Sequence, residues 1–344
     1  MALKTFGKLP KGKAFERVQS SSNFNGQSFN NPIPTKMSVK PHRVMNDYFK
    51  TRSKRKPEKP VSIENLTKRD FSETPSTELK LMWLGHASSL IEIEGIRILT
   101  DPVFSNRVSP FSWMGPKRLH DTPFPMHELP NIDVIVISHN HYDHLDIDFI
   151  KHVKEHNIQF VVPLAVGETL KHWGISSQNI FELDWHDTYD FKNVSFTATP
   201  ARHFTGRGLL DRNKAFWMST VIKGRAESLF FCGDSGFFEG FEDIGNQYGS
   251  FDFTMIGIGA YNEQWQAIHT NPEEALKAHN LLKGNHLLPM HWCTFDLAPH
   301  PWSEPIEWLV NENQKIKSSV IIPKVGEFVT SEKAKNYNQE FWWR

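Results

Sequence analysis

The run from Ser138 to His144 holds four side chains of types that bind metal ions, within six positions. Imidazole and carboxylate groups suit zinc, iron or manganese, and the absence of thiolates argues against a structural zinc site of the cysteine type. A contiguous run cannot easily surround one ion with all four groups. It can divide them between two ions about 3.5–4 Å apart, as two-metal hydrolases require. The four candidate ligands are His139, His141, Asp143 and His144.

Two ions need further ligands, and three candidates elsewhere in the chain share one sequence context. Each is a ligand-type residue just past the end of an apolar run predicted to be a strand, and functional residues commonly lie on loops held by such a scaffold. The chain has 17 histidines, so a lone histidine carries little weight without this context. Gly233 and Gly236 would let the backbone turn sharply around one candidate. The candidates are His203 after residues 194–199, Asp234 after residues 229–232 and His291 after residues 287–290.

The elements that must position these residues begin near residue 78, where short apolar or alternating runs rich in β-branched and aromatic residues predict strands. Helical spacing predicts helices at 146–156, 272–283 and 305–313. Hairpin-like strands come first and mixed strands and helices follow, an order that predicts two sheets packed face to face with helices outside them. The predicted strands are residues 79–84, 89–94, 96–100, 133–138, 159–163, 194–199, 216–222, 228–232, 253–258 and 286–290.

Residues 1–76 look different from the rest, because Ser, Asn, Gly and Pro crowd positions 19–34. Residues 1–60 hold 14 Lys and Arg and 3 Asp and Glu, a net charge of +11. The remaining residues hold 25 Lys and Arg and 36 Asp and Glu, a net charge of −11, so the two parts cancel to zero. We therefore predict a basic N-terminal arm at 1–76, wrapping or partly mobile with a short helix near 42–50, and a hydrolase domain at 77–344. The arm either packs on the acidic body or contacts anionic lipid or nucleic acid.

The composition favours a globular protein, with 39% hydrophobic and 12% aromatic residues. Two cysteines in a chain of this length do not make a disulfide framework, which favours a reducing compartment. The N-terminus lacks the pattern of a signal peptide, and no run approaches the ~20 apolar residues that span a bilayer. We therefore expect a cytoplasmic protein, with peripheral contact at the inner membrane face as an open alternative. The oligomeric state is also open, a homodimer being one possibility.

In chain order, the seven candidate ligands resemble the signature of the metallo-β-lactamase superfamily, over residues 79–325. The resemblance implies an αββα sandwich, in which two mixed β-sheets are flanked by helices and the metals lie at one edge. It also implies that a hydroxide bridging two ions, zinc or alternatively iron or manganese, is the nucleophile, because cations lower the pKa of bound water from 15.7 towards about 7. The implied ligand sets are His139, His141 and His203 for one ion, Asp143, His144 and His291 for the other, and Asp234 between them.

Further motifs resemble the N-acylphosphatidylethanolamine-hydrolysing phospholipase D branch of that superfamily. The resemblance implies a phosphodiesterase that acts on a lipid, and a substrate-orienting or leaving-group role for His269. Asp143 and Asp234 join His269 as the predicted catalytic residues. The motifs are Trp83-Leu84-Gly85-His86-Ala87, Leu99-Thr100-Asp101-Pro102-Val103-Phe104, Met114-Gly115-Pro116-Lys117-Arg118, Glu182-Leu183-Asp184-Trp185, Ile258-Gly259-Ala260-Tyr261 and His269-x-x-Pro272-Glu273-Glu274-Ala275.

The substrate stays open at this stage for two reasons. The segment 202–208 is more basic and richer in glycine than its counterpart in the mammalian phospholipase, and the arm differs as well. A lactone or acyl-ester hydrolase would use the same site, since a fold does not determine a function. A nuclease-type phosphodiesterase is disfavoured because the −11 body offers no long phosphate track. A third hypothesis, a binding or sensing protein with a degenerate site, is disfavoured because all seven expected ligands are present. Five apolar residues could form an acyl groove or pack ordinarily: Phe104, Phe111, Trp113, Met114 and Phe124.

Overall fold

The computed structural model describes residues 2–344, and its first sheet has seven strands. The first three strands along the chain pair antiparallel, and the next three add in parallel, so the sheet is mixed. A short strand near the C-terminus closes the opposite edge by pairing antiparallel with the first. The spatial order is β13-β1-β2-β3-β4-β5-β6, where the strands are β1 (Lys80–Gly85), β2 (Ser88–Ile93), β3 (Ile96–Thr100), β4 (Val134–Val136), β5 (Gln159–Pro163), β6 (Ile180–Leu183) and β13 (Phe328–Thr330).

The second sheet has six strands and is also mixed. Three neighbouring strands at one end run parallel, and the other three continue the sheet in antiparallel fashion. The order is β12-β11-β10-β9-β8-β7, where the strands are β7 (Thr188–Phe191), β8 (Val194–Thr199), β9 (Ser219–Lys223), β10 (Ser228–Phe231), β11 (Phe251–Gly257) and β12 (Gly284–Met290).

Alternation of side chains along the strands builds two apolar layers. In β4, Val134 and Val136 belong to the core that joins the two sheets, whereas Ile135 between them belongs to the core on the outer face of the first sheet. Both faces of this strand are therefore covered, which is why its sequence is continuously apolar rather than alternating. The predicted sandwich of two mixed sheets flanked by helices is confirmed.

Helices cover the outer faces of both sheets. Residues of α4 and α5 pack in the core on the outer face of the first sheet, and residues of α6, α7 and α8 pack in the core that contains the second. Helix α7 begins where predicted, because Pro272 occupies its first turn and Asn271 and Glu274 form a capping box. The α-helices are α1 (Ala2–Thr5), α2 (Lys13–Ser20), α3 (Pro41–Thr51), α4 (Ile147–Val153), α5 (Gly167–Trp173), α6 (Gly240–Tyr248), α7 (Pro272–Leu281), α8 (Glu304–Ile316) and α9 (Ser331–Lys335).

Several elements differ from the sequence prediction. Strands β6, β7 and β13 were not predicted, and β7 and β13 lie at sheet edges where at most one face is buried, so their sequences lack apolar runs. The strand predicted at 216–222 begins only at Ser219, because Phe216 leaves the sheet and stacks on Phe29 with ring centroids 4.4 Å apart. Helices α1, α2, α5, α6 and α9 were also missed. Five short 3-10 helices are Arg52–Lys54, Lys68–Asp70, Met126–Glu128, Ser177–Asn179 and Gln266–Ile268.

The N-terminal residues contact the body at many points. The indole of Trp173 donates to the carbonyl of Lys4 at 2.7 Å, and the side chains of Val18 and Phe29 are buried in the core on the outer face of the first sheet. Helix α3 confirms the short helix expected near 42–50, although none of its residues is buried. The division of the chain at residue 76 stays a prediction. Across residues 2–344, no helix is both long and apolar enough to cross a membrane.

The packing of Phe29 generates a stability prediction. Phe29 is 1% exposed, whereas Phe49, also N-terminal, is 68% exposed. We expect Phe29→Ala to lower the free energy of unfolding by about 3 kcal/mol, because a buried ring is replaced by a cavity, and Phe49→Ala to change it by less than about 0.5 kcal/mol. Urea unfolding followed by tryptophan fluorescence measures both. Equal midpoints for the two variants would show that the N-terminal residues do not contribute to the core.

Candidate functional site

The predicted ligands lie together because they follow strands whose carboxyl ends meet at one edge of the sandwich. His139 follows β4 in the first sheet, whereas His203 and Asp234 follow β8 and β10 in the second. His291 comes directly after β12 and has φ +63°, a left-handed backbone conformation that is uncommon outside glycine. This turn directs the chain away from the strand at the position where the side chain enters the site.

Three imidazoles and one carboxylate form the first group of ligand atoms. His139 Nε2 lies 2.8 Å from His141 Nδ1, which lies 3.3 Å from His203 Nε2. The carboxylate of Asp234 is 3.8 Å from His139 Nε2 and 3.6 Å from His203 Nε2 through its Oδ2 atom. The ligand atoms of the three histidines therefore lie within 4.8 Å of one another, with Asp234 close to two of them.

Two imidazoles and two carboxylates form the second group. His144 Nε2 and His291 Nε2 are 3.3 Å apart, and Asp143 Oδ2 lies 3.5 and 3.6 Å from them. Asp234 reaches this group too, because its Oδ2 is 3.2 Å from His144 Nε2 and its Oδ1 is 3.1 Å from His291 Nε2. Asp234 is thus the residue that the two groups share.

The donor atoms fit two divalent cations. Two tetrahedral ligands, each about 2.1 Å from one ion, are separated by about 3.4 Å. The spacings of 2.8–3.8 Å in the first group and 3.1–3.6 Å in the second bracket this value. Neutral imidazole nitrogens do not attract one another unless a proton or a metal ion lies between them, so their convergence suits ion binding. Both groups could hold a metal ion.

The imidazoles of the site fall into two kinds according to the direction in which their pKa values are shifted. Burial lowers the pKa of His144, but the carboxylates of Asp234, Asp143 and Asp101 outweigh burial and raise this pKa well above its usual value. The same balance raises the pKa of His291 to about 9. Burial would raise the pKa of Asp234, but the surrounding imidazoles hold it well below its usual value. The carboxylates of Asp143 and Asp234 are therefore charged and compensated by imidazolium cations, a role that metal ions can take over.

The other imidazoles of the site stay neutral. Burial lowers the pKa of His139 and His203 well below the usual value for histidine and that of His141 to about 4, with neighbouring imidazoles adding to the effect at all three. Neutral imidazole is the form that binds a metal ion.

Residues outside the predicted set orient the ligands. His144 Nδ1 donates to Asp101 Oδ2 at 2.6 Å, and the backbone N–H of Ser138 donates to Asp101 Oδ1 at 2.7 Å. His86 Nε2 lies 2.9 Å from Asp143 Oδ2, and its ring centroid is 3.9 Å from that of His291. The sequence prediction gave Asp101 and His86 no role of their own. Both follow strands, β3 and β1, so the criterion that selected His203 and Asp234 could have selected them.

His269 lies beside both groups and, like Asp143, is more exposed than Asp234 and the imidazoles of His139, His144, His203 and His291. Its side chain is 15% exposed, and its Nδ1 atom is 3.9 Å from Asp234 Oδ2. The ring centroid is 5.1 Å from that of His203 and 5.3 Å from that of His291. His269 therefore borders both groups, and together with His203 and Asp234 it could also contribute to holding an ion.

Close backbone packing explains the glycines beside Asp234. Gly233 has φ +57°, and an added Cβ would lie 2.5 Å from Ser138 Cβ. At Gly236 an added Cβ would lie 2.1 Å from the carbonyl oxygen of Ala267. Any side chain at either position would move the loop that carries Asp234, so the expectation of a sharp turn agrees with the structure.

The five residues considered for an acyl groove lie in different environments. Phe104 stacks on Phe149 at 5.2 Å, and Phe124 is 1% exposed within the same core. Trp113 and Met114 are instead 72% and 48% exposed, and Phe111 packs against Trp113. Phe104 and Phe124 therefore pack in the core rather than line an acyl groove, because the outer face of the first sheet must bury its apolar side chains.

Comparisons with known proteins agree with this geometry. A family model described as the beta-lactamase superfamily domain matches residues 96–292. An uncharacterized protein of Mycobacterium tuberculosis (strain ATCC 25618 / H37Rv) is 42% identical over 289 residues, which cover 83% of this chain and 76% of that protein. The N-acyl-phosphatidylethanolamine-hydrolyzing phospholipase D 1 of Caenorhabditis elegans is 34% identical over 299 residues, covering 83% of this chain and 82% of the relative.

A solved structure supports the fold assignment. Igni18, described as a novel metallo hydrolase from the hyperthermophilic archaeon Ignicoccus hospitalis KIN4/I, superposes with a TM-score of 0.58 at 21% sequence identity. The match covers 74% of this chain and 98% of the solved chain. At this identity the similarity is evidence for the fold alone.

The contact between Asp101 and His144 generates a test of the second group. Asp101 accepts hydrogen bonds from both Ser138 N–H and His144 Nδ1, and the amide of Asp101→Asn can accept only one of them through its oxygen. If its NH₂ group faces His144 Nδ1, that nitrogen must become an acceptor. The proton of His144 then lies on Nε2, the nitrogen that would bind the ion. We expect affinity for one metal ion to fall about 10- to 100-fold, as when other outer partners of metal ligands are lost. Metal content after dialysis measures this, with the exposed Asp190→Asn as the control. Equal metal retention by the two variants would contradict the assigned role.

Proposed function

Because this chain is a metal-dependent hydrolase that belongs to the metallo-β-lactamase superfamily, we propose that it is a two-metal phosphodiesterase of the phospholipase D type. The proposed substrates are lipids similar to N-acylphosphatidylethanolamine. The proposal of two metal ions rests on the position of Asp234. Each of its carboxylate oxygens lies within 3.2 Å of an imidazole nitrogen of the second group, and Oδ2 is also 3.6 Å from His203 Nε2 of the first group. The lipid part is supported by the relative from Caenorhabditis elegans, whose similarity extends over most of both chains.

The ligand assignment follows from the two groups of atoms. One ion would be held by the imidazoles of the first group, the other by the imidazoles and Asp143 of the second, and both by Asp234. A ligand set of histidine and aspartate with no cysteine suits zinc, and iron or manganese are alternatives. The ligands are His139, His141 and His203 for the first ion, Asp143, His144 and His291 for the second, and Asp234 for both.

When bound, two divalent cations supply a nucleophile from water at neutral pH and stabilise the charge that grows on phosphoryl oxygens. The residues of this chain contribute the rest. His269 lies beside the site, and burial lowers its pKa to about 4, so its neutral imidazole can donate a hydrogen bond to a phosphoryl oxygen or to the oxygen of the departing alcohol. Asp143 and Asp234 are charged when no ion is bound, so they provide a negative centre that attracts cations.

We propose further that the enzyme contacts a lipid surface beside this site. Leu209 and Leu210 are 99% and 91% exposed, and they lie in the loop that leaves His203. The loop of Trp113 lies near the loop of Leu209, because both are bonded to Thr5. The hydroxyl of Thr5 donates to the carbonyl of Pro110, and the carbonyl of Thr5 accepts from Arg207 Nε at 2.8 Å. Exposed apolar side chains in two neighbouring loops favour an interfacial role.

The charge distribution supports the same contact. Residues 1–60 carry a net charge of +11, and Thr5, which joins the two apolar loops, belongs to this basic region. Lysine and arginine close to an anionic lipid surface add about 1 kcal/mol of attraction each. A peripheral contact of this kind brings a lipid headgroup to the metal site without a membrane-spanning helix.

The reaction is tested with two variants that separate metal binding from substrate handling. Asp234→Asn should lose both ions and lower phosphodiester cleavage at least about 100-fold. His269→Ala should retain both ions and lower turnover by about 100-fold, the usual contribution of a general acid or base. Assays with bis(p-nitrophenyl) phosphate, N-acylphosphatidylethanolamine vesicles and a lactone, together with metal analysis, measure this. Lactone cleavage without phosphodiester cleavage under zinc, manganese and iron would favour the acyl hydrolase instead.

The lipid contact is tested by charge at the exposed leucines. Leu209→Glu/Leu210→Glu should reduce co-sedimentation with phosphatidylethanolamine–phosphatidylglycerol vesicles at least about tenfold, because two leucines lose their apolar contact. Cleavage of soluble bis(p-nitrophenyl) phosphate should stay unchanged. Ile316→Glu at the end of α8 is the control, since Ile316 is also exposed, on a helix that packs with the second sheet. Equal sedimentation of the two variants would argue against this surface.

A further inference from the structure

One residue of the N-terminal region binds both backbone polar groups of a metal-ligand residue. The side-chain amide of Asn31 donates to the carbonyl of His203 at 2.8 Å, and its Oδ1 atom accepts from the N–H of His203 at 2.8 Å. The primary amide thus forms the same pair of hydrogen bonds that a residue in a neighbouring strand would form. The two residues are separated by 172 positions in the chain.

Neighbouring residues extend this contact along the ligand loop. Arg202 Nε donates to the hydroxyl of Thr35 at 3.0 Å, and the N–H of Phe29 donates to the carbonyl of Asn213 at 2.9 Å. The side chain of Asn213 in turn accepts from the N–H of Thr205 at 3.1 Å. Residues 29–35 therefore brace the loop that carries His203 on both sides of the ligand.

We propose that Asn31 is a positioning residue for the ion held by His139, His141 and His203, so that the N-terminal arm completes the metal centre. This inference rests on the ligand assignment of the proposed function. The two bonds hold the N–H and the C=O of one residue and so restrict the backbone of His203, and its Nδ1 atom is held separately by the carbonyl of Ile268 at 2.9 Å. With backbone and ring both held, Nε2 stays 3.3 Å from His141 Nδ1.

The second group is held differently. His144 is held through Asp101, and the backbone N–H of His291 donates to the carbonyl of His86 at 2.9 Å. No hydrogen bond joins His144 or His291 to the described part of the arm, residues 2–76. Loss of the Asn31 contact should consequently weaken one ion and spare the other, an asymmetry that a general loss of stability would not produce.

Zinc binding to ion-free protein tests the asymmetry. The wild-type chain should bind two ions in competition with a chromogenic chelator. Asn31→Ala should bind one of them as before and the other at least about tenfold more weakly, the lower range for lost outer partners of metal ligands. Asn31→Asp keeps the acceptor for the His203 N–H and loses the donor, so it should show an intermediate loss. If Asn31→Ala does not fold, Asn31→Asp gives the measurement.

Asn23 provides a matched control. Its side-chain amide also joins the arm to the body, donating to Asp184 Oδ1 at 2.9 Å, but Asp184 is not among the residues of the metal site. Asn23→Ala should bind both ions as the wild-type chain does. Unfolding midpoints of all variants, measured with saturating zinc, show whether differences in binding follow differences in stability.

Double variants identify which ion depends on Asn31. Added to His203→Ala, Asn31→Ala should leave the remaining ion unchanged, whereas added to His291→Ala it should weaken the remaining ion about tenfold. Equal binding by Asn31→Ala and Asn23→Ala, or equal weakening of both ions, overturns the positioning role alone. A wild-type chain that binds no zinc overturns the proposed function and this role with it.

Discussion

Asp234 carries a carboxylate that is only 5% exposed, and five imidazoles lie within 4 Å of it. A buried negative charge is costly unless positive charge compensates it, so this one group determines much of what surrounds it. The imidazoles come from both sheets of the sandwich. The strand ends of the two sheets must therefore lie at the same edge of the sandwich. The absence of side chains at Gly233 and Gly236 allows the loop of Asp234 to pack closely between the two sheets at this edge.

The outer contacts of the site follow from the same requirement. A histidine can hold a metal ion only if its ring is oriented and its proton lies on the far nitrogen, and buried acceptors provide both at His144 and His203. Asp101 accepts from His144, and the carbonyl of Ile268 lies within hydrogen-bond distance of His203 Nδ1. Asn31 adds a third kind of contact, because it hydrogen-bonds to both backbone polar groups of His203, a predicted ligand. The site thus draws on residues from nearly the whole length of the chain.

Much of the fold was predictable, because buried strands such as β4 and β5 are continuous apolar runs. The strands that were missed have local reasons. Strand β7 alternates between exposed and half-buried residues at a sheet edge, and the short β13 depends on pairing with β1, which is about 250 positions earlier in the chain. The role of Phe216 was also misjudged, since its apolar side chain suits a strand but in fact packs against the N-terminal region.

What the sequence by itself determined is the set of ligand types and their placement after strands, since strand periodicity and residue chemistry are local properties. His139, His141, His203, Asp234 and His291 are recognisable for that reason. Only the tertiary structure decided which atoms face one another, and that Asp101, His86 and Asn31 contact the predicted ligands. These contacts join residues far apart in the chain, 172 positions in the case of Asn31 and His203. No local pattern records them, because they exist only after both sheets and the N-terminal residues have packed together.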